Sequence, residues 1–164
     1  MNKQLKEALK QIPYYRAIPR KYRFTNQVKD KAWAILSDYV RCRDFLIYGT
    51  CIATDVRIQH WRECDAGHYE SMGGHGAALG FSELNVHAQS KISNKLSPPA
   101  DGARFKENLI KRYGKKILKE IESLKPLIKA DDWYFLERIQ YIYNKFLELK
   151  KKFPDFYEFP DYIK

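Results

Sequence analysis

Cysteine is scarce in this 164-residue chain, with Cys42, Cys51 and Cys64 as its three examples. An odd count without paired spacing excludes the disulfide framework of a small secreted domain and leaves reduced thiols as the expectation. Long apolar runs are missing too. No stretch of about 18 apolar residues exists to span a membrane, and no apolar segment follows the first lysines as a signal peptide requires. A cytoplasmic location without a membrane partner is therefore expected. Acidic residues are the third shortage: 20 Asp and Glu stand against 30 Lys and Arg, a net charge of +10, with a pI near 9.4. That balance favours a polyanionic partner. An anionic membrane surface ranks below nucleic acid, because the basic residues come without an identifiable exposed apolar face. The length fits one domain with a real core and a helical extension.

Hydrophobic spacing organises most of the chain. Leu5, Ala8, Leu9 and Ile12 repeat at helical intervals until Pro13, which predicts a short amphipathic helix over residues 2–12. Residues 14–24 are basic and aromatic, a candidate DNA-contacting arm or a loop packed on the surface. From Thr25 or Asn26 as N-cap, a second helix carries Val28, Ala32, Trp33, Ile35, Leu36, Tyr39 and Val40 on one stripe. Leu46, Ile47, Tyr48, Ile52, Val56 and Ile58, punctuated by Gly49 and Asp55, read as short strands and a hairpin, with His68 at the end of the small sheet. Residues 71–80 are glycine-rich and irregular, without the Lys-Ser/Thr ending of a phosphate loop. A strand near residues 84–87 precedes a short helix from about Ser90.

Phe105, Leu109, Ile110, Tyr113, Ile117, Leu118 and Ile121 predict one amphipathic helix over residues 104–124, running through Gly114, with a strongly basic outer face. A last helix, over about 131–152, opens on Asp131 and Asp132 and closes on three lysines, the polarity its dipole prefers. Pro126 between the two suggests an antiparallel helical hairpin. The aromatic tail beyond Phe153 either packs back or docks a partner. Trp33, Trp61 and Trp133 are expected in the core, and His60 and His75 toward solvent.

The chemistry is concentrated in Cys64-Asp65-Ala66-Gly67-His68-Tyr69 and Asn85-Val86-His87-Ala88-Gln89-Ser90-Lys91-Ile92-Ser93-Asn94. Hydrolysis of a phosphodiester needs a base for water, a divalent cation to stabilise charge, and groups that orient both. One His, one Asp and one Asn form that minimum set. Neutral imidazole can take the proton, and carboxylate and carboxamide oxygens suit Mg²⁺ or Mn²⁺. An isolated histidine is more often structural, but the residues around His68 reverse that order.

These segments follow the order of an HNH-type site, and the chain resembles the NinG/Rap phage recombination endonucleases, a branch of the HNH, or ββα-metal, nucleases. The likeness runs over residues 31–125. It includes Tyr39-Val40-Arg41-Cys42-Arg43-Asp44, Gly49-Thr50-Cys51, Asp65-Ala66-Gly67-His68-Tyr69, Leu79-Gly80-Phe81, Asn85-Val86-His87, Asn94 and residues 105–114. The resemblance implies metal-dependent cleavage of branched recombination intermediates such as Holliday junctions, D-loops or flaps, in a bacterial host's cytoplasm. It puts His68 in the general-base position and Asn85 as the structural middle residue. Asp65 and Asn94 become candidate metal ligands, with His87 as a further one. Lys111, Arg112, Lys115 and Lys116 are the expected DNA contacts, Arg41 and Arg43 either flank the scissile strand with them or pair with Asp38 and Asp44, and a homodimer would supply the two sites that junction resolution uses.

Two departures from the family stand out. Its two Cys-x-x-Cys pairs, which bind a structural zinc, read here as Cys51-Ile52-Ala53-Thr54 and Ser90-Lys91-Ile92-Ser93. Hydroxyls are poor zinc ligands, so no structural zinc is expected at Cys51, Thr54, Ser90 and Ser93. Gly80 stands where family members often carry Arg.

The expected fold is α+β, with a small ββα-metal core embedded in a mostly helical domain that ends in a helical hairpin. Residues 1–24 form the N-terminal helix and arm, 25–125 the nuclease-like domain, and 126–164 the last helix and tail. The alternative function is a nuclease-derived protein that binds branched or other DNA without cutting it.

Overall fold

The computed structural model describes residues 3–20, 24–71, 76–96, 98–126 and 130–163. They gather into two compact units, Met1–Tyr39 with Ala130–Lys164, and Val40–Lys129. The two terminal segments, separate in the chain, thus share one unit.

In the first unit, α1 (Lys3–Lys10) buries Leu5 and Leu9, one turn apart on the same face. Pro13 opens a 3₁₀ turn, Pro13–Tyr15, because it cannot continue the helix ladder. The basic aromatic segment that follows is packed, as far as residue 20. Tyr15 and Ile18 are buried, Lys31 Nζ donates to their carbonyls at 2.7 and 2.8 Å, and Arg20 pairs with buried Asp30. These contacts remove it as a free DNA-contacting arm; residues 21–23 lie outside the described set.

Helix α2 (Gln27–Ile47) starts where expected, with Asn26 Oδ1 accepting Lys29 N–H at 2.9 Å. The last helix, over Asp132–Lys152, is capped by Asp131, which accepts Tyr134 N–H at 3.0 Å. It buries Phe135, Leu136, Ile139, Ile142, Phe146 and Leu149. Phe146 meets Tyr39, Phe159 and Tyr162 edge to face, and Tyr162 Oη donates to Asp38 at 2.8 Å. The aromatic tail therefore packs back within this unit. Trp133 is 39% exposed, against the core position expected for it.

The second unit holds the end of α2, then β1 (Cys64–His68), α3 (Ala77–Gly80), β2 (Val86–Ser90), α4 (Lys91–Leu96), α5 (Pro99–Tyr113) and α6 (Lys116–Ser123); the last helix is accordingly α7. β1 and β2 pair antiparallel, with Asp65 opposite Gln89, Gly67 opposite His87 and His68 opposite Val86. This small sheet among helices is the α+β class read from the sequence.

Two expected elements take another form. The predicted hairpin within residues 45–69 is reduced to a single antiparallel bridge, Thr50 with Arg57: Leu46 and Ile47 complete α2, and Gly49, at φ 66°, turns the chain out of it. A tight knuckle follows, in which Cys51 N–H reaches Val56 O and Asp55 N–H reaches Cys51 O. Asp55 takes a left-handed φ of 60° there, a conformation that Asp tolerates better than most residues. The single helix expected over residues 104–124 is two. Gly114 caps α5 at φ 82°, and α6 leaves in a new direction to bury Ile117 and Ile121 beside Phe105, Leu109, Leu79 and Ile52. The connection expected to make a hairpin of α6 and α7 includes residues 127–129, outside the described set.

The knuckle is clamped from both sides. Ile52 N–H donates to Ala88 O on β2. From α5, Asn108 Nδ2 donates to Ile52 O at 2.8 Å and to Asp55 at 2.9 Å, Arg104 pairs with Asp55, and Arg112 Nη2 reaches Thr50 O and Oγ1.

Beneath the sheet lies a buried ionic cluster. Asp44, 0% exposed, accepts Ala88 N–H at 2.8 Å and Arg43 Nε–H at 2.7 Å. Arg43 also donates to Glu83 O, Val86 O and His87 Nδ1, while His87 Nε2 donates to Leu84 O at 3.0 Å. Burial opposes the ionised carboxylate, but the Arg43 guanidinium beside it holds the Asp44 pKa well below the usual carboxylate range. Desolvation lowers the His87 pKa, so the imidazole stays neutral, matching its role as acceptor from Arg43.

Two outcomes follow from these arrangements. Asn108→Ala leaves the buried Ile52 carbonyl without its donor and lowers the urea-derived unfolding free energy by about 1–3 kcal/mol. For pH, the unfolded chain takes up the His87 proton below about pH 6.5 while the native state resists it, so stability falls as pH drops through that value. The stability contributed by Asp44 is present above the unfolded carboxylate pKa and is lost as pH falls further, toward its depressed native value. Urea midpoints measured from pH 8 to pH 3 check both, and His87→Gln flattens the upper step.

Candidate active site

His68 is the last residue of β1, and its ring is anchored to the segment between the strands. Nε2 lies 3.0 Å from the carbonyl of Gly80, the last residue of α3. A carbonyl only accepts, so Nε2 carries the hydrogen and the neutral ring has its lone pair on Nδ1. The position departing from the family at Gly80 thus contributes its main chain. Asn85, 0% exposed, fixes the connecting loop: Nδ2 donates to Glu70 O and Leu79 O, and Oδ1 accepts Glu70 N–H at 2.9 Å. Both ends of the segment between the strands are thereby tied to one carboxamide. Met72 to His75, within that segment, lie outside the described residues.

Asn94, on α4, comes to Asp65, on β1, with Nδ2 donating to Asp65 Oδ2 at 3.1 Å. That bond turns Asn94 Oδ1 toward the bare face of Gly67, where a Cβ would lie 3.0 Å from it. A carboxylate and a carboxamide oxygen side by side are hard donors that would suit Mg²⁺ or Mn²⁺. Among the described residues no three His, Cys, Asp or Glu side chains gather as a metal site, so a cation here relies on amide oxygens and water. His68 and Asn94 share a cavity of about 150 Å³ with Tyr69, Gln89, Asp101, Gly102 and Phe105. Burial raises the Tyr69 pKa, keeping its phenol protonated.

Three expected site residues have other work. His87, a candidate ligand in the sequence, is 0% exposed with both ring nitrogens engaged by protein groups, which removes it from the donor set. Arg112 is expected on DNA, and Arg43 either on DNA or against Asp44. Arg43 is bound up in the Asp44 cluster, and the Arg112 side chain is 7% exposed, 4.0 Å from Asp44 and over the Tyr48 ring. Arg41 is half-buried over Trp61 and donates to Cys64 O. Lys111, Lys115 and Lys116 are exposed, as are Lys91 and Lys95 on α4, which flank Asn94 and were not singled out in the sequence. His60 is half-buried and caps a 3₁₀ turn by accepting Arg62 N–H.

The four positions corresponding to zinc thiolates make hydrogen bonds. Cys51 Sγ accepts Ser90 N–H at 3.2 Å, and Ser90 Oγ accepts Ser93 N–H at 3.2 Å. Ser93 Oγ accepts from Gln89 and donates to Asp101, while Thr54 Oγ1 accepts Val56 N–H. Sequence inspection missed Gly67, Gln89 and Asp101. Their signal was their spacing from His68 and Asn94, which has meaning only once the strand register is known.

None of the curated proteins and none of the solved structures compared with the chain matches it. A family model does, that of the bacteriophage lambda NinG protein, over residues 2–152. With nearly the whole length matched, and the ordered segments around His68 and Asn94 inside the match, the chain belongs to the NinG family of phage proteins.

Proposed function

We propose that this protein is a metal-dependent, structure-selective DNA endonuclease acting on branched recombination intermediates. The observation that carries the reading is the His68 ring, whose Nε2–H is tied to Gly80 O, which puts the ring's lone pair on Nδ1, in a residue that lines a cavity with Asn94, the partner of Asp65. In this reading His68 Nδ1 takes a proton from the attacking water. Asp65 and Asn94 would hold Mg²⁺ or Mn²⁺, which when bound offsets charge on the phosphate and leaving oxygen. Asn85 keeps the segment between the strands in place, so that Gly80 O stays within reach of the imidazole.

The exposed lysines supply phosphate contacts that position the protein without reading sequence. A net charge of +10 suits that role. The hydrogen-bonded Cys51, Thr54, Ser90 and Ser93 support a fold that needs no structural zinc. A second copy of the chain would provide the paired cuts that resolve a four-way junction.

A second reading is a protein that binds branched DNA without cutting it. The sparse donor set favours it, since a single carboxylate, Asp65, anchors the cation.

Incubation with a labelled four-way junction and a matched duplex, in Mg²⁺, Mn²⁺ or EDTA, separates the readings. Metal-dependent cutting of the junction is expected, and His68→Ala lowers it by about 10²-fold or more while junction binding is retained. Binding without cutting under any metal establishes the second reading. In the same binding assay, Lys115→Ala and Lys116→Ala weaken junction affinity across sequences and reduce the salt slope by about one each. Arg43→Ala, by contrast, strips buried Asp44 of its nearest cation and lowers stability by about 3–5 kcal/mol, read from urea melts.

A further inference from the structure

Gln89 stands opposite Asp65 in the strand register, so the two side chains share one face of the sheet with Gly67 between them. The Gln89 carboxamide is oriented by a relay: Nε2 donates to Ser93 Oγ at 2.9 Å, and Ser93 Oγ–H donates to the Asp101 carboxylate. Because Asp101 takes the hydroxyl hydrogen, Ser93 offers Gln89 only a lone pair. The amide nitrogen must therefore face Ser93, and Oε1 must face the other way. Oε1 points over Gly67, where a Cβ would lie 2.0 Å from it and 3.0 Å from Asn94 Oδ1. Two carboxamide oxygens lying 2.0 and 3.0 Å from one point are at most 5.0 Å apart. Both belong to residues that line the cavity containing His68. Toward that cavity Gln89 offers an acceptor, which suits a cation and repels a phosphate.

We propose that Gln89 is a third oxygen donor of the cation site formed with Asp65 and Asn94, oriented by the Ser93–Asp101 relay and admitted by the absence of a side chain at Gly67. The proposal rests on the metal-dependent reading of the site. It gives Ser93, a residue that occupies a zinc-ligand position in the family, a positioning task directed at the neighbouring cation site. It also accounts for a glycine in the middle of a strand, where glycine is otherwise unfavourable.

The test is Mn²⁺ binding by the full chain without DNA, with free Mn²⁺ read by electron paramagnetic resonance and folding read by thermal melts. The wild type binds Mn²⁺ and Asp65→Asn loses it. Gln89→Ala weakens binding about tenfold or more, as does Ser93→Ala through the orienting bond. Gln89→Glu restores or tightens it, because a carboxylate keeps an oxygen over Gly67. Gly67→Ala retains Gln89 but displaces the end of its flexible side chain, and it weakens Mn²⁺ binding with the melting temperature kept. Wild-type affinity in folded Gln89→Ala and Gly67→Ala, with binding lost in Asp65→Asn, overturns the role of Gln89 and leaves the nuclease reading standing. Absence of Mn²⁺ binding in every protein, wild type included, overturns the metal-dependent reading and this proposal with it.

Discussion

A carboxylate out of contact with water organises the second unit. Asp44 sits in the last turns of α2 and takes the Ala88 N–H from the middle of β2, which docks the strand against the helix. A buried anion of this kind is tolerable only when charge and donors surround it. Arg43 and His87 accordingly fill the adjoining space, and Arg112 approaches from α5. Since β2 carries the cross-strand partners of both Asp65 and His68, the register of the candidate site depends on that single carboxylate. The arrangement is stiff because no member can leave without stranding another: Arg43 spans Asp44, two main-chain carbonyls and the His87 ring.

A second constraint holds the chain between α2 and β1. The knuckle at residues 51–56 keeps a turn with Asp55 at φ 60°, but it is fastened by Asn108 and Arg104 from α5 and by the main chain of β2. Across from it, Ser90 and Ser93 hold the start of α4, and Ser93 accepts from Gln89 while donating to Asp101. Serine can accept and donate at once, whereas a metal-bound thiolate only accepts. The Ser93 hydroxyl therefore orients the Gln89 carboxamide.

Much of the site was legible in the residues themselves. The motif around His68 and Asn94 is local in sequence, and the strand-to-helix passage at Ser90 follows from short-range patterning. The Asp65–Asn94 pairing followed only from the resemblance, and the structure brings the two together across 29 residues. What failed were inferences about burial. Arg112 and His87 are polar residue types that a sequence assigns to solvent or ligand, and only the convergence of α2, β2 and α5 shows that they join Arg43 around the Asp44 carboxylate. The apolar, β-branched run before Asp65 looked like strands because composition records burial without recording which element achieves it.

Sequence by itself determined the helix boundaries with explicit chemistry, at Asn26, Pro13 and Asp131, the basic character, the mixed α+β class and the order of the candidate catalytic residues. These depend on neighbours a few positions apart, so local patterning suffices. Tertiary structure alone decided that Gly114 breaks one predicted helix into two, since the break lets Ile117 and Ile121 reach the core of the second unit. It also decided that Gln89, Ser93 and Asp101 form a relay and that Gly67 leaves the space their carboxamide fills. Those outcomes depend on register and packing between segments far apart in the chain, and no local pattern encodes the distance between them.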